Sequence, residues 1–236
     1  LLRCWAQASA DRPMALAAAD PAGLQPLLPL LREAGLKGPL HGLGLLHPQA
    51  LQPWGGLFLP DPSIGRWAQW RLPAGPAAFS LVGQIHTLST PAALNHLLDL
   101  ATEPVEPWDA LICSSTAGRD VVLAVLEDRE QQLLARSGGS AAVLQARRPQ
   151  LPVIPLPLPV RQMRRDLPAR QAARQALQIP ESAAVLVWLG RLSSLTKLYI
   201  HPTYAVLQRV AARLDRPLVM VECGPDDTPQ QAAEFE

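Results

Sequence analysis

Ala78-Phe79-Ser80-Leu81-Val82-Gly83-Gln84-Ile85-His86-Thr87-Leu88-Ser89-Thr90-Pro91 decides how this chain folds. Phe79, Leu81, Val82 and Ile85 suit a pleated, packed surface, so 78–85 reads as a strand that ends at His86-Thr87. Thr90-Pro91 then opens a helix: the hydroxyl caps the free amides, and proline at the first helical position forfeits no hydrogen bond. The helix runs on through Leu94, Leu97 and Leu98. A largely apolar strand followed at once by a helix is the repeating unit of a parallel sheet covered on both faces.

Working outward, the same alternation recurs. Upstream, 56–59 is a second strand candidate, stopped by Pro60-Asp61-Pro62, and 14–18 is a weaker one because alanine favours helix. Leu24 to Ala34 has a helical apolar pattern ended by Gly35, interrupted by Pro26 and Pro29. The opening residues, 1–6, read as the middle of a helix.

Downstream, 108–113 is a strand, Ser114-Ser115-Thr116 a turn rich in capping residues, and 120–134 a helix ended by Gly138-Gly139. A short strand is expected at 151–157, a basic and partly helical connector at 161–177, and a continuous apolar strand at 183–189. Leu207, Val210, Ala211 and Leu214 make a helical stripe, 218–221 is the next strand, and 229–236 looks like the opening of another helix. The expected architecture is α/β with two domains, divided near 158–180. Parallel sheets bind ligands at the carboxyl ends of their strands. That rule singles out four loops: 60–63, 86–90, 114–118 and 190–197.

Composition narrows the function. The chain has 236 residues, 48% of them hydrophobic, which is enough for a packed core. Lys plus Arg number 21 against 20 acidic residues, so no global field points to nucleic acid as partner. The 25 prolines punctuate strands and loops instead of forming a linker. Cys4, Cys113 and Cys223 are far apart and make no CxxC or Cys/His cluster, which excludes a disulfide framework or structural zinc site of the usual spacing. Cys113 and Cys223 read as reduced core residues of a cytosolic protein. No apolar run reaches bilayer-spanning length, and no charged segment followed by an apolar one opens the chain as a signal peptide would.

Among the loops, Gly190-Arg191-Leu192-Ser193-Ser194-Leu195-Thr196-Lys197 offers the most chemistry. Gly190 allows a close backbone approach, Arg191 supplies a planar charged fork for phosphate oxygens, and Lys197 adds a point charge. Two cations there can neutralise a diphosphate without a metal; two solvated loop cations are the plain alternative. His86 ends its strand where an imidazole can meet a substrate hydroxyl, or else simply bond a neighbouring carbonyl. His201, before Pro202, suits a cap or packing role, and His41, His47 and His96 have no partners at ligand spacing. Asp226-Asp227 and the basic run Arg161, Arg164, Arg165, Arg170 and Arg174 read as solvated surface. Gly42-Leu43-Gly44 lacks the third glycine of a dinucleotide fingerprint; Walker A, GxSxG and HExxH motifs do not occur.

Taken as an ordered series, these stretches resemble the GT-B glycosyltransferases of family 4, also called group 1. Gln84-Ile85-His86-Thr87 resembles the family's strand ending in a donor-contacting histidine, and Trp108 to Ser115 its "D-x-ϕ-ϕ-x-x-S" strand and turn. Val153-Ile154-Pro155-Leu156 is similar to the entry into the second domain. Val187-Trp188-Leu189-Gly190-Arg191-Leu192 with Lys197 is similar to the "G-R-L…K" donor-phosphate loop, and 219–224 to the strand that follows.

The resemblance implies two Rossmann-like parallel-sheet domains. The first is 1–160, the acceptor side, missing its first strand. The second, 161–236, is a connector and the beginning of the donor side, cut short of the family's paired-glutamate motif. It implies a hexosyltransferase-type enzyme that moves a sugar from a nucleotide-sugar donor to a glycan, lipid or small-molecule acceptor with retention. No cofactor or metal is expected beyond the nucleotide sugar as co-substrate. Gly190, Arg191 and Lys197 would bind the donor diphosphate and stabilise charge on the leaving group, while His86 would contact the donor sugar in the interdomain cleft. The chain itself would be a fragment without full competence, cytoplasmic or at the inner face of the membrane with peripheral contact. Two departures stand out: Lys197 is one position further from Arg191 than in the commonest spacing, and Leu156-Pro157-Leu158 replaces the usual Gly-Val. The competing expectation is a non-catalytic α/β binding or assembly module of the same fold.

Overall fold

A computed structural model describes residues 2–156, 167–193 and 197–225. The protein is α/β, with small parallel sheets. It divides into two compact units, Leu1–Pro157 and Leu158–Glu236.

In the first unit, helix α1 (Leu2–Ser9) leads to strand β1 (Met14–Ala18), helix α2 (Leu27–Glu33) and strand β2 (Leu40–Gly44), which pairs in parallel with β1. Ala6, Met14, Leu31 and Leu36 close a small core between these elements. Next come β3 (Gly56–Phe58), α3 (Ile64–Arg71), β4 (Ser80–Gln84), α4 (Pro91–Asp99), β5 (Ala110–Ile112), the long α5 (Thr116–Ser137) and the short α6 (Ala141–Gln145). Strands β3, β4 and β5 form a second parallel sheet in that order. Leu81 and Leu111 are fully buried on this sheet beneath Ile64, Leu97, Val122 and Leu126 from its helices. Each such side chain contributes roughly 1.5–3 kcal/mol by leaving water.

Local chemistry explains the boundaries. Thr90 accepts from the Ala93 N–H at the start of α4, 3.2 Å, and Ser115 from the Gly118 N–H at the start of α5, 3.0 Å. Ser63 N–H donates to the Asp61 carboxylate at 2.8 Å, and the Ser63 hydroxyl donates to the same oxygen, turning the chain from β3 into α3. Gly83 makes the docking of α3 possible. A Cβ there would lie 2.7 Å from Ile64 Cγ2 and 2.9 Å from the Asp61 carbonyl oxygen.

One ion pair crosses this core. Arg71, at the end of α3, and Asp109, just before β5, are both 0% exposed and meet through two bonds of 2.7 and 2.8 Å. Arg71 also donates to the Phe79 carbonyl at 2.8 Å, and Asp109 accepts from the Leu81 and Glu106 N–H groups at 2.8 and 2.9 Å. A second fork, Arg148 on the buried Glu130 at 2.7 and 2.6 Å, ties the segment after α6 to α5; the bond and the carboxylate charge push the Arg148 pKa up.

In the second unit, α7 (Leu167–Ala176) precedes β6 (Ala184–Leu189), α8 (Ile200–Ala211) and β7 (Leu218–Cys223). β6 and β7 pair in parallel from Ala184↔Leu218 to Leu189↔Cys223. Arg174 of α7 is buried and donates to the carbonyls of Pro180, Glu181 and Ala183 at 2.7, 3.2 and 3.1 Å, clamping the chain that enters β6. No helix among the described residues is long and apolar enough to cross a membrane.

Several expectations need correction. The strand expected at 151–157 reduces to isolated bridges at Gln150 and Val153, because Pro152 and Pro155 have no N–H to give a ladder. α5 begins four residues earlier than 120, at Thr116, because Ser115 is its cap. Arg174 is a buried clamp and not part of a solvated face; Arg161, Arg164 and Arg165 lie outside the described residues, as do Asp226-Asp227 and 229–236. Cys223 is exposed at the end of its strand, whereas Cys113 is buried as expected; all three cysteines are free thiols. The covering of both sheet faces also fails at β6, where Val187 is 61% and Leu189 77% exposed. Val210 of the α8 stripe is exposed too, and Leu214 lies beyond the helix end. Strand β2 and helix α3 were not anticipated: the Gly42-Leu43-Gly44 run hides the first, and its two tryptophans and two arginines the second.

Candidate functional site

The four candidate loops follow the carboxyl ends of β3, β4, β5 and β6. Three of them share one edge of the β3-β4-β5 sheet. There the Gln84 N–H donates to the Asp61 carbonyl at 3.1 Å and the Ile85 N–H to the Ile112 carbonyl at 3.0 Å, so the strand ends are held at one level. His86 emerges just beyond, exposed, and its side chain makes no hydrogen bond or ion pair among the described residues. The carbonyl bond that a packing role would require is therefore missing. The Thr87 and Ser89 hydroxyls bond to each other at 2.8 Å, tightening the turn after it. Cys113, at the end of β5, is buried; desolvation pushes its thiol up despite the opposing charge of Arg119, which keeps it protonated and unsuited to nucleophilic work.

The fourth loop belongs to the second unit. Gly190, Arg191 and Lys197 follow the end of β6, with Arg191 and Lys197 both exposed. The Gly190 N–H donates to the Cys223 carbonyl at 3.0 Å, the Leu192 N–H to the Pro225 carbonyl at 3.0 Å, and the Lys197 N–H to the buried Ser193 carbonyl at 3.0 Å. The start of the loop is thus held to the end of β7, and Lys197 folds back on Ser193, while the two cations reach solvent. His86 lies in the first unit and the three loop residues in the second.

Sequence reasoning assigned the close backbone approach to Gly190, yet a Cβ there would meet only ordinary contacts, the nearest 3.6 Å away at the Trp188 indole nitrogen. Gly224 is the position that requires glycine, since its Cβ would run into the Gly190 carbonyl oxygen. The glycine after an apolar strand at 218–223 was the available signal. The Trp188 indole N–H is buried and has no acceptor among the described residues, leaving a donor unspent beneath the cationic loop.

Chemically, this loop presents two fixed positive charges, backbone turns and a hydroxyl-rich sequence, suited to an anion with several oxygens. The His86 edge presents an exposed imidazole, able to donate or accept a hydrogen bond, beside the Thr87 and Ser89 hydroxyls. No group of three or more metal-ligating side chains is assembled among the described residues. Comparison with protein-family models, curated proteins and solved structures gives no match to this chain.

Proposed function

We propose that this chain is part of a glycosyltransferase of GT-B type that transfers a sugar from a nucleotide-sugar donor to a glycan, lipid or small-molecule acceptor. The observation that carries the reading is the placement of Arg191 and Lys197, both exposed, on one anchored loop at the carboxyl end of a parallel strand. Ligands of open parallel sheets bind at that end of the strands.

In this reading the bond from the sugar's anomeric carbon to the phosphate oxygen breaks, and the nucleoside diphosphate leaves with the electron pair. The acceptor hydroxyl oxygen forms the new bond to that carbon, and its proton passes to the departing diphosphate oxygen. Arg191 and Lys197 meet the charge gathering on the diphosphate, and charges held ready in this way stabilise a transition state without reorganising. His86 bonds a hydroxyl of the donor sugar. Removing one preorganised donor costs about 2.7–4 kcal/mol of activation free energy, roughly a hundred- to a thousandfold in rate.

The test is binding of UDP- and GDP-sugars, with donor hydrolysis, by the full-length protein that contains this chain and by its R191A/K197A variant. Binding and turnover lost in a variant that keeps its circular dichroism support the reading. A folded protein that binds no nucleotide sugar overturns it in favour of a non-catalytic α/β module.

A further inference from the structure

The first unit holds a cavity at the opposite end of the β3-β4-β5 sheet from His86. It is lined by the connections that lead from α3 towards β4, from α4 into β5, and from α6 towards Gln150, which bridges to Ala110 at the start of β5. Its volume is about 390 Å³. Small-molecule sites span roughly 300–1,000 Å³. Leu72, Leu100 and Leu144 give it apolar walls.

Four charged side chains also line it: Glu103, Glu130, Arg147 and Arg148. Two of them are spent on each other, because Arg148 holds Glu130 in the fork of 2.7 and 2.6 Å. The fork leaves over the Arg148 Nη1 group, which stands 4.0 Å from Glu127, too far for a hydrogen bond. Glu103 and Arg147 differ from that pair. Neither side chain makes a hydrogen bond or ion pair among the described residues. Arg147 is exposed, whereas Glu103 is half-buried, with its Oε2 buried and without a donor. A carboxylate oxygen in that position costs free energy until a donor reaches the group. Nor is the Glu103 stem loose: a Cβ on Gly65 of α3 would lie 3.3 Å from its Cβ and Cγ. Two opposite charges thus line one cavity from separate segments without meeting.

That arrangement selects the ligand by charge. An anion alone leaves Glu103 unmatched, and a cation alone leaves Arg147 unmatched. A molecule that carries both charges answers both side chains, and the leucines require it to have an apolar body.

We propose that this cavity binds a small zwitterion with an aliphatic body, an α-amino acid of the leucine type. Its ammonium group bonds Glu103, and its carboxylate bonds Arg147 and the Arg148 Nη1 group. Its side chain packs on Leu72, Leu100 and Leu144. Glu130 acts as a positioning residue by holding the other two nitrogens of Arg148. The inference is independent of any sugar-transfer activity.

The test is a nuclear magnetic resonance titration of the isotope-labelled 236-residue chain with L-leucine, read at the Ala101, Glu103, Val105, Leu144, Arg147 and Arg148 amides. Two truncated probes accompany it: isoamylamine, which lacks the carboxylate, and isocaproate, which lacks the ammonium group. Leucine shifts these amides saturably in the millimolar range, and each truncated probe binds about tenfold more weakly or worse. E103Q keeps the side chain's shape; it weakens leucine and isoamylamine by about tenfold and does not weaken isocaproate. R147A, at an exposed position, weakens leucine and isocaproate and does not weaken isoamylamine. If E103Q loses the native spectrum, R147A decides alone. The absence of a saturable shift at these amides overturns the proposal. So does isocaproate or isoamylamine binding as tightly as leucine, which reduces the cavity to a site for a single charge. An affinity for leucine that neither substitution changes overturns it as well.

Discussion

Replacing Asp109 is the sharpest test of how the first unit holds together. The carboxylate is 0% exposed, and its two oxygens take four bonds, from both Arg71 nitrogens and from the Leu81 and Glu106 amides. In D109A the Arg71 guanidinium stays buried without a counter-charge, which costs about 3–5 kcal/mol. The two orphaned amides add roughly 1–3 kcal/mol each, less whatever water enters the gap. A loss of about 5 kcal/mol or more is a large share of the ~5–15 kcal/mol that holds a domain together. At a urea slope of about 2 kcal/mol per molar, it moves the unfolding midpoint down by at least ~2 M. Urea titration followed by tryptophan fluorescence is the assay, because Trp67 lies in α3 about one turn before Arg71 and Trp70 directly beside it in sequence. D109N keeps the shape and one acceptor, so it falls between wild type and D109A. A D109A midpoint within ~0.5 M of wild type would refute the reasoning, since a buried unpaired guanidinium cannot cost so little.

Two further outcomes are expected. A thiol reagent should titrate two cysteines in the native protein, Cys4 and Cys223, and the third, Cys113, only on unfolding; rapid modification of all three would contradict the burial of β5's end. The Tyr204 hydroxyl donates to Glu222 at 2.7 Å, and burial, this bond and the carboxylate charge push its pKa from 10.0 up to about 12. Because the neutral form is the one favoured on folding, the stabilisation is complete below pH 10.0 and is lost as the pH rises through about 12. Phenolate absorbance during alkaline titration should place Tyr204 last, and Y204F should flatten the loss of stability over that window.

The alternation of strands and helices was legible because apolar runs and capping chemistry coincide: 80–84 and 91–99 follow directly from Leu81, Val82, Thr90 and Pro91. β2 was not legible, since two glycines and a histidine in five residues show neither the composition nor the alternation of a strand. Its pairing with β1 depends on backbone bonds, which composition does not record. α3 was hidden for the opposite reason: its buried face carries Gly65 and Arg71, residues that read as loop and surface until Asp109 and the close packing on Gly83 are in place. The cationic loop was placed by its position after a strong strand, but which glycine it depends on was decided by a contact between loops 34 residues apart.

That contact has a bearing on how this loop can vary over time. Position 224 tolerates no side chain, because any Cβ would push into the Gly190 carbonyl and shift the backbone that carries Arg191. Position 190 is open to one. Sequence drift in this region is therefore asymmetric. Changes at 190 can be sampled without displacing the loop, while a change at 224 reaches the cations through the backbone and alters their presentation without altering their identity.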